Sequence, residues 1–242
     1  DVKRQVSERI GAVRDELLDV SHRIWSNPEL CFEEHVAHDV LTGALDRHGF
    51  DVERGTYGLD TAFVGRKAAG GDGPTVAMLC EYDALPEVGH ACGHNVIAAA
   101  GLGAAIGAAA VVVQLGGRLI VMGTPAEEGG GGKVLMIERG AFDEVDVAFM
   151  VHPADVDLDS FWAIAIHELH VSYTGKAAHA AAAPELGSNA LDAAVLGYMN
   201  VAALRQRIGR SERVHGIITH GGDKPNVVPH RSSMEWYVRS EE

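Results

Sequence analysis

The side chains of this sequence that could do chemistry come directly after three short apolar runs. Each run has apolar residues at nearly every position, which is typical of a strand covered on both faces in a parallel sheet. Because ligands of such sheets bind beyond the carboxyl ends of the strands, we expect the three groups to meet at one edge. The runs and the groups that follow them are 75–80 with Cys92 and His94, 119–122 with Glu127 and Glu128, and 145–151 with His152.

Together these side chains form a plausible ligand set for a transition metal. Cys92 and His94 are separated by Gly93, which allows a tight bend, and thiolate with imidazole favours zinc-like metals over magnesium or calcium. The pair Glu127 and Glu128 suits a division of labour, with one carboxylate on the metal and its neighbour on the bound water. Each motif alone is more often an ordinary loop feature, but their coincidence at successive strand ends favours a metal-dependent hydrolase.

Two other hydrolytic sites do not match the sequence. A cytidine-deaminase site needs a Pro-Cys-x-x-Cys pair and a glutamate two residues after its histidine, and neither occurs. A serine hydrolase of the Gly-x-Ser-x-Gly type is excluded because that motif does not occur.

The acidic balance of the chain narrows its partners. The 242 residues include 34 acidic and 20 basic ones, and the formal net charge of −14 disfavours nucleic acid and anionic membranes. Three cysteines are too few for a disulfide framework and predict a reducing compartment, the cytoplasm. The apolar stretch 96–113 has the length of a membrane span, but its alanines and glycines favour a tightly packed core helix.

The order of the predicted elements indicates two domains. Strands and helices alternate through residues 1–163, which predicts an α/β domain with a mostly parallel sheet flanked by helices. Residues 164–242 give the order β-α-β-β, the first two-thirds of a ferredoxin-like α+β unit whose C-terminal part we expect to be missing. The predicted elements are helices 2–25, 33–49, 95–110, 132–139 and 188–208 and strands 75–80, 118–123, 145–151, 169–174, 214–219 and 234–239.

Six segments are long and specific enough to compare with known families: EYDALP (81–86), HACGHN (90–95), GTPAEEGGGG (123–132), MVHP (150–153), GKAAHAAAAPELGSNA (175–190) and GGDKPNVVP (221–229). The first four resemble the co-catalytic metallo-amidohydrolases, which include aminoacylases, bacterial glutamate carboxypeptidase and the plant auxin-conjugate hydrolases. Within that family the chain is most similar to the aminobenzoyl-glutamate hydrolase and β-alanyl-lysine dipeptidase branch. The last two segments resemble the family's lid, which is also its dimerisation domain.

The resemblance implies two divalent ions, zinc or manganese, and hydrolysis of an amide bond by a metal-activated water. The implied substrate is a dipeptide or an N-acyl amino acid with a free carboxylate. A further ligand histidine is expected beyond the last residue of this sequence. The implied roles are metal ligands Cys92, His94, Glu128 and His152, general base Glu127, and Asp83 as a residue that orients the site.

In the lid, the resemblance assigns three residues to the substrate. His179 matches a histidine that stabilises the oxyanion in the active site of a partner protomer, which implies a homodimer. Asn226 and Arg239 match positions that contact the substrate, Arg239 through the substrate carboxylate. Arg239 on a half-exposed strand is equally compatible with an ordinary surface charge.

Two alternatives stay open at this point. One is a non-catalytic protein, either a metal-free fragment or a dimerising scaffold of the same fold. The other is a different amide hydrolase, a carboxypeptidase or a deacylase.

Overall fold

The computed structural model describes residues 1–68, 73–159 and 163–241, and the chain divides into two compact units, Asp1–Asp157 and Leu158–Glu242. The boundary drawn from the sequence at residues 163 and 164 differs from this division. It stays a prediction of where independently folding domains meet, and residues 160–162 beside it lie outside the described residues.

The first unit is an α/β domain. The predicted helix 2–25 is two helices, because the backbone at Val13 leaves the helical region (φ −110°, ψ 12°) and buries that side chain. The two helices thereby both pack on the same apolar helix, α4. The elements are α1 Val2–Ala12, α2 Arg14–Trp25, α3 His35–Arg47, β1 Asp51–Arg54, β2 Phe63–Ala68, β3 Thr75–Cys80, α4 His94–Val112, β4 Arg118–Gly123, α5 Gly132–Glu138 and β5 Val147–Phe149.

The sheet of this unit has the order β1-β2-β4-β3-β5. Strand β3 runs parallel to both β4 and β5, whereas β2 is antiparallel to both β4 and β1. Strands β1, β3, β4 and β5 therefore share one direction and β2 opposes them. This confirms the predicted α/β class with a mostly parallel sheet, and it brings the carboxyl ends of β3, β4 and β5 to one edge.

The prediction of a covered strand over 145–151 is wrong. Strand β5 has only three residues, Val147–Phe149, and lies at the edge of the sheet, paired with β3. Val147 is 43% and Phe149 56% exposed. An apolar run predicts extended structure, but it carries no information on which neighbours will cover the strand, so an edge strand and a central strand look alike in sequence.

The small residues of α4 allow close packing on both of its sides. A Cβ added at Gly101 would lie 2.7 Å from the Leu79 carbonyl oxygen of β3, and one at Gly107 would lie 2.8 Å from the Ile10 side chain of α1. Among the described residues, α4 is the one helix long and apolar enough to span a membrane, and 56% of that window is buried. The burial matches the packed core helix that the composition predicts.

The second unit is a three-stranded antiparallel sheet with one long helix. Strand β8 lies between β6 and β7 and is antiparallel to both, so β6 and β7 are parallel to each other, a split βαβ arrangement. Helix α6 buries Ala194 against Met234 and Trp236 of β8. The bounds are β6 Ala165–Thr174, α6 Ala190–Leu204, β7 Arg213–His220 and β8 Arg231–Ser240, in the predicted order β-α-β-β.

Candidate metal centre

His94 begins helix α4, and its side chain is only 1% exposed. Its Nδ1 lies 3.0 Å from the Asp83 carboxylate and 3.0 Å from the Asp83 carbonyl oxygen. Both neighbours are acceptors, so Nδ1 carries the proton and donates it. The neutral ring then presents Nε2 with a free lone pair, which is how a histidine oriented by a carboxylate binds a metal ion.

Three carboxylates surround Nε2 of His94. Oε2 of Glu81 lies 3.6 Å away, Oε1 of Glu128 3.7 Å and Oε2 of Glu127 3.8 Å. These distances are too long for hydrogen bonds, and Nε2 has no hydrogen-bond partner although it is buried. Burial lowers the pKa of His94, but the hydrogen bond and charge of Asp83 and the charges of Glu81 and Glu128 raise it by more.

Asp83 connects the histidine to the loop that carries the glutamates. Its Oδ2 accepts the backbone N–H of Glu128 at 2.9 Å and faces the thiol of Cys31 at 3.6 Å. Burial raises the pKa of Asp83, but these hydrogen bonds, above all the one from His94, outweigh burial and lower it. The buried, ionised carboxylate therefore fixes both the imidazole and the loop, which is the orienting role that the resemblance implied.

Cys92 lies beside Glu128 at the start of the same helix. A hydrogen bond to Glu128, together with burial, raises the pKa of the Cys92 thiol to about 11. The tight bend predicted at Gly93 is present, with φ 78°, and a Cβ there would approach Pro153 to 2.9 Å. The bend thus brings the segment of Cys92 against the segment that follows β5.

The backbone before Glu127 is held by a buried carboxylate from another part of the chain. Ala126 has a positive φ of 57°, which is unusual for a residue with a Cβ. Its N–H donates to Oε1 of Glu34 at 2.8 Å, and the Thr61 hydroxyl donates to Oε2 of Glu34 at 2.7 Å. Partial burial beside Glu81 raises the pKa of Glu127, which moves a prospective general base toward neutral pH.

Sequence reasoning did not single out Glu81 as a site residue. The structure groups it with His94 and His152, whose ligand atoms all lie within 4.8 Å of one another, and it groups His94 with Glu127 and Glu128 by the same measure. Glu81 follows β3 directly, so its place beyond a strand end was the signal that could have found it. His152 is exposed, and its ring centroid lies 6.2 Å from that of His94.

These residues fit a divalent metal centre. Two buried polar atoms, His94 Nε2 and Glu81 Oε2, have no hydrogen-bond partner in the described residues and lie 3.6 Å apart. Unsatisfied buried polar atoms are rare and costly unless something satisfies them. The surrounding donors are imidazole nitrogen, carboxylate oxygen and the Cys92 sulfur, the ligand types of zinc and, for the oxygens, of manganese.

The predicted lid residues all lie in the second unit. His179 is exposed, and its Nδ1 accepts the N–H groups of Ala181 at 3.2 Å and Ala182 at 3.1 Å. Because Nδ1 is occupied as an acceptor, the neutral ring carries its proton on Nε2, which is then a free-standing donor. Asn226 is exposed as well, and its carbonyl accepts the N–H of Ala180. Arg239 is half-buried and lies over the Tyr237 ring.

Solved structures share this fold. An aminobenzoyl-glutamate utilization protein of Klebsiella pneumoniae matches with a TM-score of 0.73 and 22% identity over 98% of this chain and 70% of its own. A dinuclear metal-binding peptidase of the M20 family from Bacillus subtilis matches with a TM-score of 0.63 and 22% identity over 96% of this chain and 65% of its own.

Sequence relatives are closer. The chain is 46% identical to mouse Xaa-Arg dipeptidase, over 99% of this chain and 58% of the relative. It is 36% identical to a p-aminobenzoyl-glutamate hydrolase of Escherichia coli, over 100% of this chain and 54% of the relative. The chain thus spans little more than half the length of the curated relatives it matches, and the branch indicated by the sequence motifs is confirmed. Since the model of peptidase family M20/M25/M40 also matches residues 75–223, the chain belongs to that family.

Proposed function

We propose that the protein hydrolyses the amide bond of a dipeptide or an N-acyl amino acid with a free carboxylate, in a metal-dependent reaction. The observation that carries this proposal is the buried Nε2 of His94, which has no hydrogen-bond partner and faces the carboxylates of Glu81, Glu127 and Glu128 at 3.6–3.8 Å. Three carboxylates that converge on one lone pair without bonding to it form a cation site. Family membership supports the same reaction class.

The chain's own residues divide the work of such a reaction. Cys92, His94, Glu128 and His152 would hold two divalent ions, zinc or manganese. When bound, such ions polarise the scissile carbonyl and lower the pKa of an attacking water. Glu127 accepts the proton of that water on its carboxylate and delivers it to the nitrogen of the departing amine. The raised pKa of Glu127 suits both halves of this transfer.

Residues of the second unit would act on the substrate. His179 offers an Nε2–H donor, which is the group that an oxyanion needs as the carbonyl carbon becomes tetrahedral. The resemblance to relatives supports its delivery to a partner protomer, so we propose a homodimer through this unit acting as a lid. Asn226 and Arg239 would contact the substrate, with the guanidinium on its carboxylate.

The relatives' names narrow the substrates to test first. An Xaa-Arg dipeptide and p-aminobenzoyl-glutamate both contain an amide nitrogen on an amino acid with a free carboxylate. The higher identity to Xaa-Arg dipeptidase puts dipeptides with a C-terminal basic residue first. The net charge of −14 would also attract such cationic substrates. We propose a cytoplasmic location, supported by three cysteines that are all free.

The test uses the purified protein at its full natural length, with metal content measured by elemental analysis. We expect about two zinc or manganese ions per chain and hydrolysis of Xaa-Arg or related dipeptides. Glu127→Gln should keep the ions and lower kcat by about 10²–10⁴-fold, since it removes only the proton carrier. Glu53→Gln, on an exposed strand, is the matched control. An unchanged kcat in Glu127→Gln would exclude Glu127 as the base, and a folded protein without bound metal would favour a non-catalytic scaffold.

A further inference from the structure

Glu81 differs from the other buried carboxylates of the described residues, which are Glu34 and Asp83. Both oxygens of Glu34 accept hydrogen bonds, and so do both oxygens of Asp83. Glu81 is 1% exposed, and only its Oε1 is engaged, in an ion pair with Lys133. Its Oε2 is buried without a hydrogen-bond partner.

The unengaged oxygen points at the candidate metal centre. Oε2 of Glu81 lies 3.6 Å from Nε2 of His94, the other partnerless atom of the cluster. With His152 these residues offer three ligand atoms within 4.8 Å of one another. A nitrogen lone pair and a carboxylate oxygen at 3.6 Å do not bond to each other, but a divalent ion can bind both at about 2.0–2.2 Å.

Lys133 explains why one oxygen is left over. It lies in the first turn of α5, just after the loop that carries Glu127 and Glu128. Its ammonium ion-pairs with Oε1 of Glu81, which fixes the rotation of the carboxylate and leaves Oε2 facing His94. The same contact ties the end of β3 to the loop of the prospective base.

We propose that Glu81 is a ligand of the metal centre through Oε2, and that Lys133 is a positioning residue that holds its other oxygen. This inference rests on the proposed function, since it concerns the same ions. It adds a carboxylate to the ligands implied by the family motifs, Cys92, His94, Glu128 and His152. A hard oxygen ligand next to imidazole makes the site suitable for manganese as well as zinc.

The test measures metal binding rather than activity. The full-length protein is stripped with a chelator, and Mn²⁺ or Zn²⁺ is titrated by calorimetry, with stoichiometry from elemental analysis and the Mn²⁺ environment from electron paramagnetic resonance. We expect Glu81→Gln to lose one ion of two or to bind it at least about 10-fold more weakly. Lys133→Met should weaken the same ion by about 10-fold and change its spectrum, since an unpinned ligand loses its orientation.

Controls separate the possible failures. Glu53→Gln removes a glutamate that pairs with a cation, Arg66, but faces no histidine, and it should bind both ions normally. Glu81→Asp keeps the charge with a shorter reach, and weakened binding in this variant would support the proposal even if Glu81→Gln failed to fold. If wild type binds two ions and Glu81→Gln and Glu81→Asp bind both with unchanged affinity, Glu81 is not a ligand although the proposed function stands. If wild type binds no ion, both proposals are wrong.

Discussion

The two units hold their candidate functional residues in different ways. In the first unit, His94 is 1% exposed and its orientation is fixed by the buried carboxylate of Asp83, which is itself bonded to the backbone of Glu128. In the second unit, His179 and Asn226 are exposed, and they bond to the main chain of neighbouring segments.

This difference matches two chemical tasks. A metal centre must have its ligands preset within a few tenths of an ångström, so its side chains are buried and each is held by another group. A residue that meets a substrate or a second chain must be reachable from outside, so it is exposed and only its own loop orients it. The first unit therefore has the features of an ion site, and the second those of a contact surface.

The largest expected effect comes from removing the central ligand. His94→Ala should lose bound metal and lower kcat/KM by at least about 10³-fold, because ion polarisation of the carbonyl contributes several kcal/mol to the barrier. Elemental analysis and dipeptide hydrolysis measure the two changes together. His22→Ala, on a helix remote in sequence from every candidate ligand, should change neither. Full metal content in His94→Ala would contradict the assignment of the centre.

A large loss without loss of metal is expected in the second unit. His179→Ala removes the Nε2–H donor and should lower kcat by about 10²–10³-fold, as for other oxyanion donors, with both ions retained. His170→Ala, another exposed histidine on β6 of the same unit, is the matched control. Loss of metal in His179→Ala would break the division between ion site and contact surface.

A smaller effect is expected from the residue that orients the histidine. Asp83→Asn keeps the shape of the side chain but removes the charge that holds the Nδ1–H of His94. Metal affinity should fall by about 10–100-fold, while saturating metal restores most of the activity. Titration of the stripped protein with Zn²⁺ measures this. Wild-type affinity would mean that the backbone carbonyl of Asp83, also 3.0 Å from Nδ1, is sufficient.

The smallest effect concerns stability and distinguishes the buried support of the loop from the ligands. Burial raises the pKa of Glu34 from its ordinary value of 4.5. As the pH rises through 4.5, the unfolded chain releases this proton while the folded chain keeps it, so wild type loses stability. Glu34→Gln cannot ionise and should gain stability relative to wild type above pH 4.5, with the difference constant above the folded-state pKa. Thermal unfolding in chelator from about pH 4 to 8 tests this, and a difference independent of pH would show that Glu34 is not perturbed.

Much of the fold and part of the site could be predicted from the sequence. Strands β3 and β4 have the predicted bounds, because short apolar runs between turn residues admit few alternatives. The strand ends led to His94, Glu127, Glu128 and Asp83, which the structure places in one cluster. The break at Val13 and the exposure of β5 could not be predicted, because both depend on which elements pack against them.

By itself the sequence determined the alternation of strands and helices and the ligand types at the strand ends, since periodicity and residue chemistry are local properties. It also contained the motifs that place the chain in its family. Only the tertiary structure decided that Glu81 faces His94 with a free oxygen while Glu34 has none, although both are glutamates in apolar surroundings. The reason is physical: hydrogen-bond satisfaction depends on groups brought together from distant parts of the chain, and no local pattern records them.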